Sequence, residues 1–178
     1  MGVTALLIAC KYEEIYPPEV SDCVYITDQA YTHKEVLEME TKILEALRYK
    51  ITVPNSHYFL VRNMRIISVT EITRHRANYF AQRTLQEHDM LCYRPSMIAA
   101  AATHLALSMD ETAPSWPDEL LDFTGYTAEQ LRPCCHQIAN HINRSPTTAS
   151  KRQLNAVKKK FASPKYLEIS NELVAPIL

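Results

Sequence analysis

The chain has 178 residues, of which only two are glycine, and strand-type alternation is scarce, so an all-α class is expected. A formal net charge of −1 argues against a nucleic-acid platform spread over the whole chain. No apolar run reaches the ~20 residues needed to span a bilayer, and Met1 opens no signal peptide.

Residues 2–20 are apolar at Val3, Ala5, Leu6, Leu7, Ile8, Ala9 and Cys10, with no polar face. Such a helix belongs at the centre of a bundle, wrapped by other helices. The chemistry changes at Lys11, followed by Tyr12, Glu13 and Glu14, and Pro17 and Pro18 end any continuous helix. A rod that needs helices around it would have helices before it, so the first bundle is expected either to be completed from elsewhere or to lack its opening helices.

A short helix is expected from Pro18 through Tyr25, then a loop over residues 26–29. Thr32 and Glu35 form a T-x-x-E capping box for a helix running to Leu47, with Val36, Ile43, Leu44 and Leu47 as its apolar stripe. Glu40 falls on that stripe, and Lys11 likewise extends the packing face of Leu7 and Ile8. Two opposite charges placed where apolar side chains belong are expected to pair with each other, with a partner's backbone, or with both.

Residues 49–54 read as a linker, because the residues before Pro54 favour extended backbone. A helix over residues 55–67 carries Tyr58, Phe59, Leu60 and Val61. The next, over residues 68–86, sets Ile72, Ala77, Tyr79, Phe80 and Leu85 inward and leaves Arg74, His75, Arg76 and Arg83 mostly wet. Arg94-Pro95-Ser96 is a stop and a cap before a second all-apolar rod, MIAAAATHLAL at residues 97–107.

The chain contains an internal duplication. Laying Tyr31-Thr32 on Tyr126-Thr127 pairs Val36 with Leu131, Ile43 with Ile138, Leu44 with Ala139 and Leu47 with Ile142. The apolar stripe repeats but the charges do not: Glu40 falls on Cys135, and Lys11 on or near Ala106. A pair needed only for the fold would be needed twice, which favours a binding role for Lys11 and Glu40. Residues 149–161 read as a basic amphipathic helix with Lys151, Arg152, Lys158, Lys159 and Lys160, and residues 165–178 as an extended strap.

No catalytic constellation is expected. The five cysteines, Cys10, Cys23, Cys92, Cys134 and Cys135, show neither C-x-x-C nor metal-ligand spacing and read as reduced thiols in the nucleus and cytoplasm. His75 and His88 show no ligand spacing either, so no metal and no cofactor is expected. Cys134, Cys135, His104 and His136 would be the residues of a thiol–imidazole enzyme, but His136 follows the cysteines directly along a helix and points away.

The motif K-Y-E-E-I-Y-P-P-E at residues 11–19, Y-I-T-D at 25–28, the run ending in Met39-Glu40, Arg94-Pro95-Ser96, Trp116-Pro117, Gly125-Tyr126-Thr127 and K-K-F-A-S-P-K-Y at 159–166 resemble the cyclin family, specifically its mitotic B type. The resemblance covers nearly the whole chain. It implies two tandem cyclin-box helical bundles: residues 1–51 the C-terminal part of a first box, 52–54 a linker, 55–147 a second box, and 148–178 a C-terminal helix and extended tail. Met1 falls inside the third helix of the family's first box, so residues 1–178 alone are expected to expose the rod and to bind kinase weakly. The resemblance further implies a subunit, monomeric outside its complex, that activates a mitotic cyclin-dependent serine/threonine kinase at the G2/M transition. Lys11 and Glu40 would grip the kinase beside its αC helix, while Tyr12, Leu44, Tyr49 and Ile51 pack on that helix. No nucleic acid and no membrane is expected as a partner. The rival reading is a cyclin-fold transcription-factor-like module binding nucleic acid or protein, which steep salt dependence of DNA binding would reveal.

Overall fold

A computed structural model describes residues 1–110, 115–144, 154–172 and 174. The chain is all-α, with no strand among the described residues. No helix among them is long and apolar enough to cross a membrane. It divides into two compact units, residues 1–53 and 54–178.

The first unit holds α1 (Gly2–Glu13), α2 (Val20–Ile26) and α3 (His33–Ala46). Glu19, not Pro18, caps α2, through a reciprocal box with Asp22. Thr32 and Glu35 form the expected box on α3: the Thr32 hydroxyl accepts from the Glu35 amide while the Glu35 carboxylate accepts from the Thr32 amide. The core is small, with Leu7, Cys23 and Val36 fully buried and Val3, Val20 and Val24 packed around them. The rod is not wrapped on every side but exposed, as the resemblance leads one to expect of residues 1–178 alone. Only Thr4 and Leu7 of α1 are buried, and Leu6 is 56% exposed. With α2 and α3 as its only neighbours in the unit, α1 is covered on one flank. Leu47 departs from the expected stripe, being exposed because it lies past the end of α3 as its C-cap.

The second unit holds α4 (Ser56–Ile66), α5 (Glu71–Thr84), α6 (Pro95–Ser108), α7 (Asp118–Thr124), α8 (Ala128–Asn143) and α9 (Ala156–Phe161). Here the rod is enclosed: α4, α5 and α8 surround α6, and all its residues from Ile98 to Leu107 are buried. Alanine at residues 99–102 and 106 lets those helices approach closely. Thr127 and Gln130 cap α8 just as Thr32 and Glu35 cap α3. Gly125 ends α7 at φ 71, a left-handed position that glycine occupies without strain.

Three side-chain expectations on α5 are corrected. Arg76 donates to both carboxylate oxygens of Glu172, at 2.7 and 3.1 Å, and to the Met109 carbonyl. Arg83 donates to Glu87 and to the His141 carbonyl, so both arginines are tucked in, with their long stems packed and their charge matched. Leu85, placed on the apolar stripe, lies beyond the end of α5 and is 78% exposed.

The tail is corrected as well. Residues 145–153, including Lys151 and Arg152, lie outside the described residues, and the helix there spans Ala156–Phe161. Beyond it the chain coils in 3-10 turns at Pro164–Tyr166 and Ile169–Asn171, separated by left-handed Leu167 and Glu168, rather than running extended. That coiling seats Phe161, Ile169 and Val174 in the core of the second unit.

Candidate functional site

The site is built from the C-terminal end of α1 and the second half of α3. α1 delivers Lys11 in its last turn, and α3 delivers Glu40 one turn beyond the buried Val36. The Lys11 ammonium donates to both oxygens of Glu40, at 2.7 and 2.9 Å. The lysine side chain is 44% exposed and the glutamate 15%. The pair is thus formed but not sealed. An ammonium has three donors, and one carboxylate does not consume them all, so Lys11 keeps N–H capacity toward solvent. An ion pair this open contributes only about 0–1 kcal/mol to the fold.

Apolar and aromatic side chains flank the pair along the same two helices. Tyr12 follows Lys11, is 48% exposed, and its hydroxyl shares a 2.7 Å hydrogen bond with that of Thr52. Leu44 lies one turn after Glu40 and is half-buried, as is Ile51. Tyr49 is 65% exposed at the end of a turn in which Arg48 and Tyr49 both have positive φ, 51 and 57. Two successive left-handed residues without glycine cost on the order of 1–3 kcal/mol each. The Tyr49 amide offsets part of this by donating to the Leu44 carbonyl at 2.8 Å. The structure therefore joins Lys11 to Glu40 directly and ties Tyr12 to Thr52, next to Ile51. Leu44 and Tyr49 sit at the end of the helix that carries Glu40.

The corresponding positions of the second unit are closed. Cys135 and Ala106 are both fully buried, and the Cys135 thiol donates to the Ala101 carbonyl at 3.4 Å. Burial pushes the thiols of Cys134 and Cys135 up to about 12, so neither supplies a thiolate near neutral pH. His104 is buried with Nδ1 2.6 Å from the Ser115 carbonyl, and its pKa is lowered by burial. The thiol–imidazole arrangement considered from sequence thus has no activated nucleophile. On α9, Lys160 donates to Gln82 and lies over the Phe161 and Tyr166 rings, so part of the basic run is used internally.

Sequence reasoning missed one cluster in the second unit, Glu87, Asp89 and His141. No motif could have found it, because its members come from the turn after α5 and from the last turn of α8.

Residues 1–52 match the family description "Cyclin, N-terminal domain", and residues 54–174 match "Cyclin, C-terminal domain". The chain is 40% identical over 172 residues to the "G2/mitotic-specific cyclin-B" of Arbacia punctulata, covering 96% of this chain and 42% of that protein. It is 39% identical over 171 residues to human "Cyclin-A1", covering 96% of this chain and 36% of that one. "Cyclin-B1-3" of Arabidopsis thaliana is 38% identical over 162 residues, covering 91% of this chain and 38% of the relative. The chain thus spans about two fifths of the length of the relatives it matches.

Proposed function

The chain belongs to the cyclin family, and on that premise we propose that it is a regulatory subunit that binds and activates a cyclin-dependent serine/threonine kinase at the G2/M transition. The observation that carries this reading is the asymmetry between the two units. Lys11 and Glu40 form an open ion pair in the first, while Cys135 and Ala106 close the same positions in the second. The mitotic window rests on the similarity to a G2/mitotic-specific relative.

The mechanism follows from what such a kinase requires. Its β3 lysine must pair with the αC glutamate before the ATP phosphates are held productively. A surface that fits only the inward αC helix shifts that equilibrium by its differential affinity for the two states. In this reading the Lys11 donors left free by Glu40 bond backbone carbonyls next to αC. Tyr12, Leu44, Tyr49 and Ile51 pack against the helix itself. The protein performs no chemistry of its own.

The test is a binding titration against a mitotic cyclin-dependent kinase, with kinase activity read in parallel. It uses residues 1–178 and a version extended at its N-terminus with the matching segment of a B-type relative. Residues 1–178 alone are expected to bind more weakly, because Leu6 and its neighbours on α1 face solvent. In the extended version Lys11→Ala and Glu40→Ala should each weaken binding more than tenfold, about 1.4 kcal/mol. Unchanged affinity in both variants would sink the assignment of the site. Absence of activation by the extended version would sink the function.

A further inference from the structure

His141 sits in the last turn of α8, 5% exposed, with carboxylates at both ring nitrogens. Its Nε2 is 3.0 Å from Asp89 Oδ2, which also accepts from the Gln137 amide at 2.8 Å. With Asp89 accepting from Nε2, Nδ1 is the ring nitrogen left to meet Glu87. Nδ1 is buried, has no hydrogen-bond partner, and faces Glu87 Oε2 at 3.4 Å. Glu87 Oε2 and Nδ1 need a positive charge between them, either a proton on Nδ1 or a metal ion. The gap exceeds the ~2.7–2.9 Å of a charge-assisted hydrogen bond. It matches the edge of a tetrahedron around zinc: bonds of about 2.0–2.1 Å to nitrogen and 2.0–2.2 Å to oxygen put the two atoms about 3.3–3.5 Å apart.

From this geometry we propose that Glu87 Oε2 and His141 Nδ1 hold a zinc-class divalent cation, with Asp89 positioning the imidazole from behind. A carboxylate on the far nitrogen of a ligating histidine sets its tautomer and raises its basicity. One potential ligand atom from each of the three residues lies within 4.8 Å of the other two. Charged groups at the cluster are Arg83, which binds Glu87 through the other oxygen at 3.1 Å, and the two carboxylates. Two carboxylates and one guanidinium leave one negative charge for the cation to meet. The Glu87 side chain at Nδ1 is 22% exposed, and water reaching the ion along that side completes the coordination shell. The site lies in the second unit and does not depend on kinase binding.

The test uses the full chain freed of metal by a chelator and titrated with zinc chloride by calorimetry. Cys92→Ser serves as background, because that thiol is exposed and competes for zinc. One zinc per chain is expected, lost in Glu87→Gln and weakened about 10–100-fold in Asp89→Asn. Nitrogen NMR of the histidine side chains should show Nδ1 of His141 shifted by metal while Nε2 keeps its proton. Cobalt substitution should give the visible bands of a tetrahedral ion. Absence of zinc binding at 100 µM overturns the proposal, as does binding that survives Glu87→Gln. So does an Nδ1 that still carries a proton under saturating zinc.

Discussion

At the scale of single residues, placement on a helix face decides what a charge can do. Lys11 and Glu40 each occupy a position where an apolar side chain would be expected, and they meet at 2.7 Å while remaining partly open. The double variant Lys11→Ala/Glu40→Ala is expected to lose less kinase affinity than the sum of the singles, because the two groups act as one unit; a double-mutant cycle measures this. Glu35 illustrates a charge used locally. Hydrogen bonds from the Thr32 amide and then the Thr32 hydroxyl hold its carboxyl below the usual range. A depressed folded pKa means that its contribution is present above the unfolded value of about 4.3 and is lost as pH falls through the folded value. A carbon NMR titration should place Glu35 below that free value, and Thr32→Ala should move it back up. Cys92 is exposed, whereas Cys134 and Cys135 are buried with thiols pushed up to about 12, so a disulfide-exchange reagent near pH 8 should label Cys92 first and leave the buried pair unmodified until unfolding.

At the scale of elements, the two rods and the two capped helices show how one pattern serves two ends. α6 is enclosed by three helices, while α1 is covered on one flank. α3 and α8 share a capping box and a stripe, yet two turns in, α3 presents Glu40 and α8 buries Cys135. Cys135→Glu should therefore not create a second binding surface. It would place a carboxylate where exposure is 0% and no cation waits, and should destabilise the second unit by on the order of 3–5 kcal/mol, read by denaturant unfolding. Unimpaired stability in that variant would show that α8 yields at this position.

At the scale of the whole molecule, the chain is two units of unequal cohesion: three fully buried apolar side chains form the core of the first, whereas the second is built around an enclosed helix. Phe161, Ile169 and Val174 belong to that second core, and Phe161, 1% exposed, packs on Tyr79 with ring centroids 5.3 Å apart. Phe161→Ala should cost about 3–5 kcal/mol, measured by thermal unfolding, far more than a peripheral tail would. The sequence alone determined the helical class, the duplicated stripe, the cap at Thr32, and the singular status of Lys11 and Glu40. The class, each stripe and the cap are set by neighbours within a few residues, where helical periodicity fixes which side chains share a face, and the status of the pair by laying one half of the chain on the other. Tertiary structure alone decided that Arg76 clamps Glu172, that the tail coils into the core, that α1 keeps an open flank, and that Glu87, Asp89 and His141 converge. Those outcomes depend on which distant segments fill the same volume, and spacing along the chain carries no record of that.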